Sequence, residues 1–441
     1  MSANTEWLQR SLASVWHPCT QMKHHPTLPL VPVARAEGVW LEDFEGKRYL
    51  DGISSWWVNL FGHGNPRINA AITDQLSKLE HVMLAGFTHQ PAIELAERLS
   101  AKTGGVLGHA FFASDGASAT EIALKMSFHA WQNAGLTEKR EFVCLEGSYH
   151  GETVGALSVT DIALFRDAYA PLVRNEHVHL APSPDARLAA PGETAEAVAN
   201  RAADALEALF VARAGKIAAM IIEPLVQCAT GMAMHHPQYL KRVRALCDAH
   251  GAHLICDEIA VGFGRTGTFF AHEQAGIRPD LLCLSKGITG GYLPLSVVLS
   301  TDSIYQAFWD DDVRRGFLHS HSYTGNPLAC RAALATLDIF DTDHVLEQNR
   351  QLSAFITAAL QPLANHPSVN HFRNTGMIWA MDVDSPHADF SRRYFAAAMA
   401  RGILVRPIGK TVYLMPPYVL NENDAQWLSE QMLAALNATL A

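Results

Sequence analysis

Three apolar runs in this chain end on residues suited to chemistry: AAMII on Glu223, LIC on Asp257 and Glu258, and LLCLS on Lys286. Lys286 is followed by Gly287, Gly290 and Gly291, which clear space around a primary amine set against an apolar wall. Such a setting disfavours the ammonium form and frees the amine to attack a carbonyl. The competing reading is a lysine whose ammonium reaches solvent just past its strand. Asp257 offers a carboxylate for a ring nitrogen, or else a helix cap or an ion pair with Arg265.

An amine and a carboxylate on neighbouring strand ends suit pyridoxal phosphate, an electron sink whose pyridine nitrogen must hold a proton. A phosphate site is then needed. SDGASATE, residues 114–121, runs straight into a helical pattern, and small residues at a helix start expose N–H groups to an anion. Ser114 or Asp115 also reads there as a plain N-cap. In GSYHGETVGA, the rings of Tyr149 and His150 can lie against a planar cofactor or simply pack. GFGRTG, residues 262–267, matches the G-x-G-x-x-G of dinucleotide sites, but that fingerprint opens a helix, and TGTFFAHEQ begins with β-formers. The His-x-His pairs in LHSHS and EHVHL lack a carboxylate or cysteine set to complete a site, so no metal is expected.

The elements that must position these residues alternate from about residue 66. PAIELAERLSAKTGG and ATEIALKMSFHAWQNAG predict amphipathic helices, the second with Ile122, Met126 and Ala130 on one face and Gly135 as its cap. FVCLEG, AAMIIEP, HLICDE and LLCLSK predict buried strands, so the fold class is α/β with a large, mostly parallel sheet. VWLEDFEGKRYLDG predicts a hairpin turning at Glu45-Gly46. GMIWAMDVD and GILVRPIGKTVYLMPPY predict further strands, and DAQWLSEQMLAALNATL a closing helix. The expected organisation is a large α/β domain over 66–335, with a smaller α+β domain built from both chain ends, 1–65 and 336–441.

Composition narrows the classes. With 441 residues, 49% hydrophobic and 18% charged, the chain can bury a large core. A net charge of −10 and no long basic cluster argue against nucleic acid as a partner. No secretory signal is expected in MSANTEWLQRSLASVWHP, and no apolar run approaches the roughly 18 residues of a membrane span. The cysteines at 19, 144, 228, 247, 256, 283 and 330 are scattered without CxxC pairs, as expected of reduced thiols in a cytoplasmic protein.

Taken together, CDEIAVGFGRTG, PDLLCLSKGITGGYLPLS and HSHSYTGNPLAC strongly resemble the class III pyridoxal-phosphate aminotransferases of fold type I. The likeness runs from WHPCTQM to YLMPPY. It implies that Lys286 carries the cofactor and shuttles protons, that Asp257 pairs with the pyridine nitrogen, and that Tyr149 stacks on the ring. Asp115 and Gly116 would bind the phosphate through their backbone. His321 and Ser322 would reach a phosphate in the neighbouring subunit, making a homodimer with shared sites. Trp56 and Arg406 would bind substrate beside Tyr149 and Lys286, with Ser320 and Cys19 in the same pocket.

WHPCTQM (16–22), DGISSWW (51–57) and RPIGKTVYLMPPY (406–418) narrow the likeness. The members they resemble transfer an amino group from S-adenosylmethionine to 8-amino-7-oxononanoate in biotin biosynthesis. A long apolar keto acid with a terminal carboxylate suits an aromatic wall and an arginine. Two positions depart from the pattern: Cys19 stands where some members carry tyrosine, and Ser322 where threonine is common. The first leaves lysine open as the amino donor, and a broad ω-amino acid or diamine aminotransferase is the alternative within the class. Outside it stand a dehydrogenase, held by GFGRTG alone, and a non-catalytic cofactor-binding protein.

Overall fold

The apolar runs in the middle of the chain become strands covered on both faces, which is why they read as unbroken hydrophobic stretches. The computed structural model describes residues 2–28 and 30–441. Its Cα packing divides into two units, Arg67–Leu346, and Met1–Pro66 together with Glu347–Ala441.

In the smaller unit, β1 (Val33–Glu37), β2 (Trp40–Asp43) and β3 (Arg48–Asp51) form an antiparallel meander. Gly46, at φ +83, makes the turn between β2 and β3 that the sequence predicts.

The larger unit holds a seven-stranded sheet. Its strands are β4 (His109–Ala113), β5 (Glu141–Leu145), β6 (Val178–Ala181), β7 (Ile217–Ile222), β10 (His253–Asp257), β11 (Leu281–Leu284) and β12 (Ser296–Ser300), with a short hairpin, β8 (Val226–Gln227) and β9 (Ala233–Met234), following β7. The order across the sheet is β4-β12-β11-β10-β7-β5-β6. Pairing is parallel from β6 through β11, and β12 runs antiparallel to both of its neighbours. Every residue of β7, β11 and β12 is buried. The Gly116–Asn133 helix packs Ile122, Met126 and Ala130 into the core with Ile221, Ile255 and Val298. Its C-cap is Ala134, and Gly135 takes the next position at φ +77, the left-handed place where glycine serves best.

The β-formers of TGTFFAHEQ make no strand. The Glu258 carboxylate takes the N–H groups of Ala271 (2.6 Å) and His272 (2.8 Å), together with His272 Nδ1 (2.7 Å), and the segment closes instead as a short 3₁₀ turn, Ala271–Ala275. GFGRTG lies in turns and opens no helix, as its sequence context predicts.

The rest of the smaller unit comes from the C-terminal part of the chain. β13 (Val369–Thr375), β14 (Ile378–Val383) and β16 (Thr411–Leu414) form an antiparallel sheet, and β15 (Ile403–Leu404) joins β3 in parallel. The Glu422–Leu440 helix buries Leu428, Met432, Ala435 and Leu436 on one face. Among the described residues no helix is long and apolar enough to cross a membrane.

Ile255 sits fully buried in β10 between two parallel partners. Ile255→Ala is expected to cost about 2–5 kcal/mol through lost burial and a residual cavity, read as a lower midpoint in chemical denaturation. An unchanged midpoint would contradict this packing.

Candidate active site

Strand register brings the polar run-ends together. Cys256 of β10 lies beside Ile222 of β7, and Asp257 lies beside Cys283 of β11. Glu223, Asp257 and Lys286 therefore leave the same edge of three adjacent parallel strands, the carboxyl edge where open α/β sheets place their sites. Lys286 adopts φ +48 and opens the Lys286–Thr289 turn, which ends on Gly290 at φ +65. Burial pushes its pKa down, against the opposing pull of negative charge at Cys228, Asp257 and Glu223. An amine so placed loses its proton more readily than an exposed lysine.

Asp257 is buried, and its Oδ2 accepts from His150 Nδ1 at 2.7 Å while Oδ1 accepts from the Ile259 N–H at 3.1 Å. Glu223 accepts from the backbone N–H groups of Tyr149 (3.0 Å) and Cys228 (3.1 Å). Burial raises its pKa to about 7; His150 pulls down and Asp257 pushes up. The Tyr149 hydroxyl donates to Glu152 at 2.9 Å, and its ring meets Phe165 edge-on at 5.6 Å.

Two glycines bring these loops against the start of the Gly116–Asn133 helix. A Cβ on Gly151 (φ +120) would stand 2.6 Å from Ala117 Cβ, and one on Gly116 would stand 3.0 Å from Ile259 Cγ2. Asp115 caps the helix, accepting from the Ser118 N–H and Oγ, each at 2.9 Å. The first N–H groups of a helix have no partner inside it, so Gly116 and Ala117 are placed to meet an anion. His150 Nε2 is buried without a hydrogen-bond partner among the described residues. An amine, a paired buried carboxylate, an unsatisfied imidazole nitrogen and a helix start in one place fit a planar cofactor that carries a phosphate.

In the same unit, Lys125 Nζ reaches His319 Nδ1 (2.8 Å), and His319 Nε2 reaches His321 Nε2 (2.9 Å). Ser320 and Ser322 are exposed in that loop. The smaller unit gathers Cys19, Trp56 and Arg406. Arg406 Nη2 donates to the Cys19 carbonyl at 2.8 Å, and the guanidinium carbon lies 5.4 Å from the centroid of the Trp56 ring. Trp56 belongs to a turn, Ser54–Trp57, whose four residues all have positive φ. A left-handed residue with a side chain costs roughly 1–2 kcal/mol, so other contacts have to hold this turn.

Residues 20–436 match the family model of the class-III aminotransferases. The chain belongs to that family. It is 44% identical over 422 residues to the adenosylmethionine-8-amino-7-oxononanoate aminotransferase of Helicobacter pylori, covering 94% of each chain. Among solved structures it resembles the enzyme of the same name from Methanocaldococcus jannaschii, with a TM-score of 0.91, 32% identity, and 98% and 99% of the two chains covered. An (S)-enantioselective ω-transaminase from Thermomicrobium roseum superposes with a TM-score of 0.93 at 32% identity, with 99% of each chain covered. The architecture is thus fold type I, and the chain is an aminotransferase. Two residues near its lysine carry more than the sequence assigned to them. In sequence His150 reads as a ring that lies against a planar cofactor or packs, and Glu223 as a strand-end carboxylate; neither reading names the partners 107 and 74 residues away along the chain.

Glu223 makes stability depend on pH. A carboxyl whose folded pKa of about 7 exceeds its ordinary 4.5 binds extra protons in the folded state between those values. Its contribution is therefore full below about pH 4.5 and is lost as pH rises to about 7. Glu223→Gln removes the titration. The Tm of the variant minus that of the wild type should rise between pH 5 and pH 8, whatever its absolute offset. A difference that stays flat or falls over that range would show that Glu223 keeps an ordinary pKa.

Proposed function

We propose that this aminotransferase uses pyridoxal 5′-phosphate to move an amino group from S-adenosylmethionine to 8-amino-7-oxononanoate, giving 7,8-diaminononanoate for biotin synthesis. The 44% identity to the Helicobacter pylori enzyme, over nearly the whole of both chains, is the observation that carries this reading. When bound, pyridoxal phosphate supplies the electron sink that makes the donor's α-proton removable. Lys286 Nζ would hold the cofactor's carbonyl carbon until the donor's amine displaces it, and the freed amine would take the α-proton and return it; its lowered pKa favours the neutral amine that this work needs. Asp257 would keep the ring nitrogen protonated, steadied by His150. Tyr149 would bear on the ring, and the Asp115 and Gly116 backbone on the phosphate.

His321 and Ser322 would complete the phosphate site of a second subunit, so the working form would be a homodimer, acting in the cytoplasm. Arg406 would clamp the keto acid's carboxylate beside Trp56, with Ser320 and Cys19 lining the pocket. Its bond to the Cys19 carbonyl uses one of five guanidinium donors. Because Cys19 brings a thiol where a tyrosine hydroxyl can stand, lysine is the competing donor. The likeness to the Thermomicrobium roseum enzyme favours a second reading, a broad ω-amino acid or diamine aminotransferase. A panel of amines against the single acceptor 8-amino-7-oxononanoate separates these. The first reading requires S-adenosylmethionine to outperform lysine and simple diamines.

Lys286→Ala should fold with an unchanged Tm and lose turnover by well over the roughly 10²–10⁴-fold that one positioned proton-transfer group supplies. Near-normal turnover in single-turnover assays would end the assignment of Lys286.

Arg406→Ala should remove a contact worth roughly 1.5–3 kcal/mol, weakening apparent affinity for the keto acid about ten- to a hundredfold. The wild type should prefer the acid strongly over its uncharged ester, whereas the variant should treat the two alike. Retained preference for the acid in the variant would take Arg406 out of the site.

A further inference from the structure

We propose that Asp51 is a positioning residue whose buried carboxylate holds the Ser54–Trp57 turn left-handed and so sets Trp56 beside Arg406. The proposal rests on the reading above, in which those two side chains meet the keto acid.

The turn has no cause in its own backbone preferences. Its φ values run from +46 to +76 over Ser54, Ser55, Trp56 and Trp57, and none of the four is glycine. Its main-chain bonds, Trp57 N–H to the Ile53 carbonyl (2.8 Å) and Val58 N–H to the Ser54 carbonyl (3.0 Å), have the spacing of any helical turn. They do not choose its hand. Side chains choose it, and Asp51 grips Ser55 at both its N–H and its Oγ. Its fully buried carboxylate accepts at Oδ1 from the N–H groups of Ile53 (3.3 Å) and Ser55 (2.9 Å). At Oδ2 it accepts from Ser55 Oγ (2.7 Å) and His63 Nε2 (3.1 Å). Ser54 Oγ donates to the Met415 carbonyl at 2.7 Å, and Trp57 Nε1 to the Tyr413 hydroxyl at 3.0 Å. Ser54, Ser55 and Trp57 are each tied down, and Trp56 is left 44% exposed.

The main chain of the same strand end, which Asp51→Asn leaves in place, runs beside the backbone that leads to Arg406. Asp51 ends β3, and its register partner in β15 is Leu404, two residues before Arg406. Gly52 lies so close to that segment that a Cβ would sit 3.1 Å from the Leu404 carbonyl and from Val405 Cγ2. The ring and the guanidinium, 5.4 Å apart, are thus both placed from one strand end.

Asparagine has nearly the shape of aspartate but turns one acceptor into a donor facing Ser55 Oγ and His63. Asp51→Asn should raise the KM for 8-amino-7-oxononanoate about tenfold, the scale of one lost charge-assisted contact, with kcat within about twofold and the cofactor's visible absorbance unchanged. Glycine takes positive φ without strain, so Ser55→Gly added to Asp51→Asn should recover most of the KM. In a Trp56→Ala background, Asp51→Asn should raise KM no further. A merely structural role would lower Tm and leave KM where it was. If Trp56→Ala raises KM and Asp51→Asn does not, the positioning role is wrong and the substrate reading stands. If neither variant moves KM, both are wrong.

Discussion

A carboxylate taken out of water needs hydrogen-bond donors fixed in place before anything else can be built around it. Asp257 is that group here. Its donors are His150 Nδ1 and the Ile259 N–H, and each draws in a loop. His150 belongs to the segment that closes on the helix start through Gly151, and Ile259 packs against the same start at Gly116. Glu223 ties the segment a second time, through the Tyr149 N–H. This hydrogen-bonded pair, with Glu223 beside it, thus ties together three loops and the end of a helix. The sheet below supplies what the pair cannot, the register that puts Lys286 one strand away.

Three of the residues proposed to touch cofactor or substrate share a second property, an uncommon backbone. Cys19, Trp56 and Lys286 all have positive φ with a side chain attached. Such conformations persist only where the surroundings over-determine them, and they cluster where geometry matters more than stability. For Lys286 the reason is visible in the chain: β11 must stop and turn at once, so the amine leaves the strand edge without continuing along it. At Cys19 the twist accompanies a backbone carbonyl that serves as an acceptor for Arg406. The side chain at 19 can then vary while its carbonyl keeps its task.

Much of the large sheet was legible because burial on two faces writes itself as plain apolar runs. AAMII, LLCL and the HLIC run became β7, β11 and β10, and the polar residues ending them emerged at one edge. The Ile122 helix announced itself by spacing in the same way. What stayed hidden depends on contacts far apart in sequence. Nothing in HLICDE names His150 as the partner of Asp257, and nothing in TGTFF warns that Glu258 will claim the N–H groups that a strand would need. The left-handed turn stayed hidden for a different reason. DGISSWW has no glycine at the four positions where backbone preference asks for one, so its sequence argues for the opposite hand. Trp56, Cys19 and Arg406 were accordingly within reach only through resemblance, never through pattern.

The histidine loop shows how far proton positions follow from donors alone. A lysine ammonium has only donors, so His319 must receive Lys125 Nζ on an unprotonated Nδ1. The proton of neutral His319 is then on Nε2, from which it points at His321 Nε2. Burial lowers the pKa of His319, with Lys125 and His321 adding to the effect, which agrees with a neutral ring at that place. His321, accepting at Nε2, carries its own proton on Nδ1. Phosphate oxygens accept and do not donate when ionised, so a histidine meant for phosphate has to present an N–H. Lys125, on the helix whose first turn is proposed to bind one phosphate, sets through His319 the tautomer of a histidine proposed to bind another.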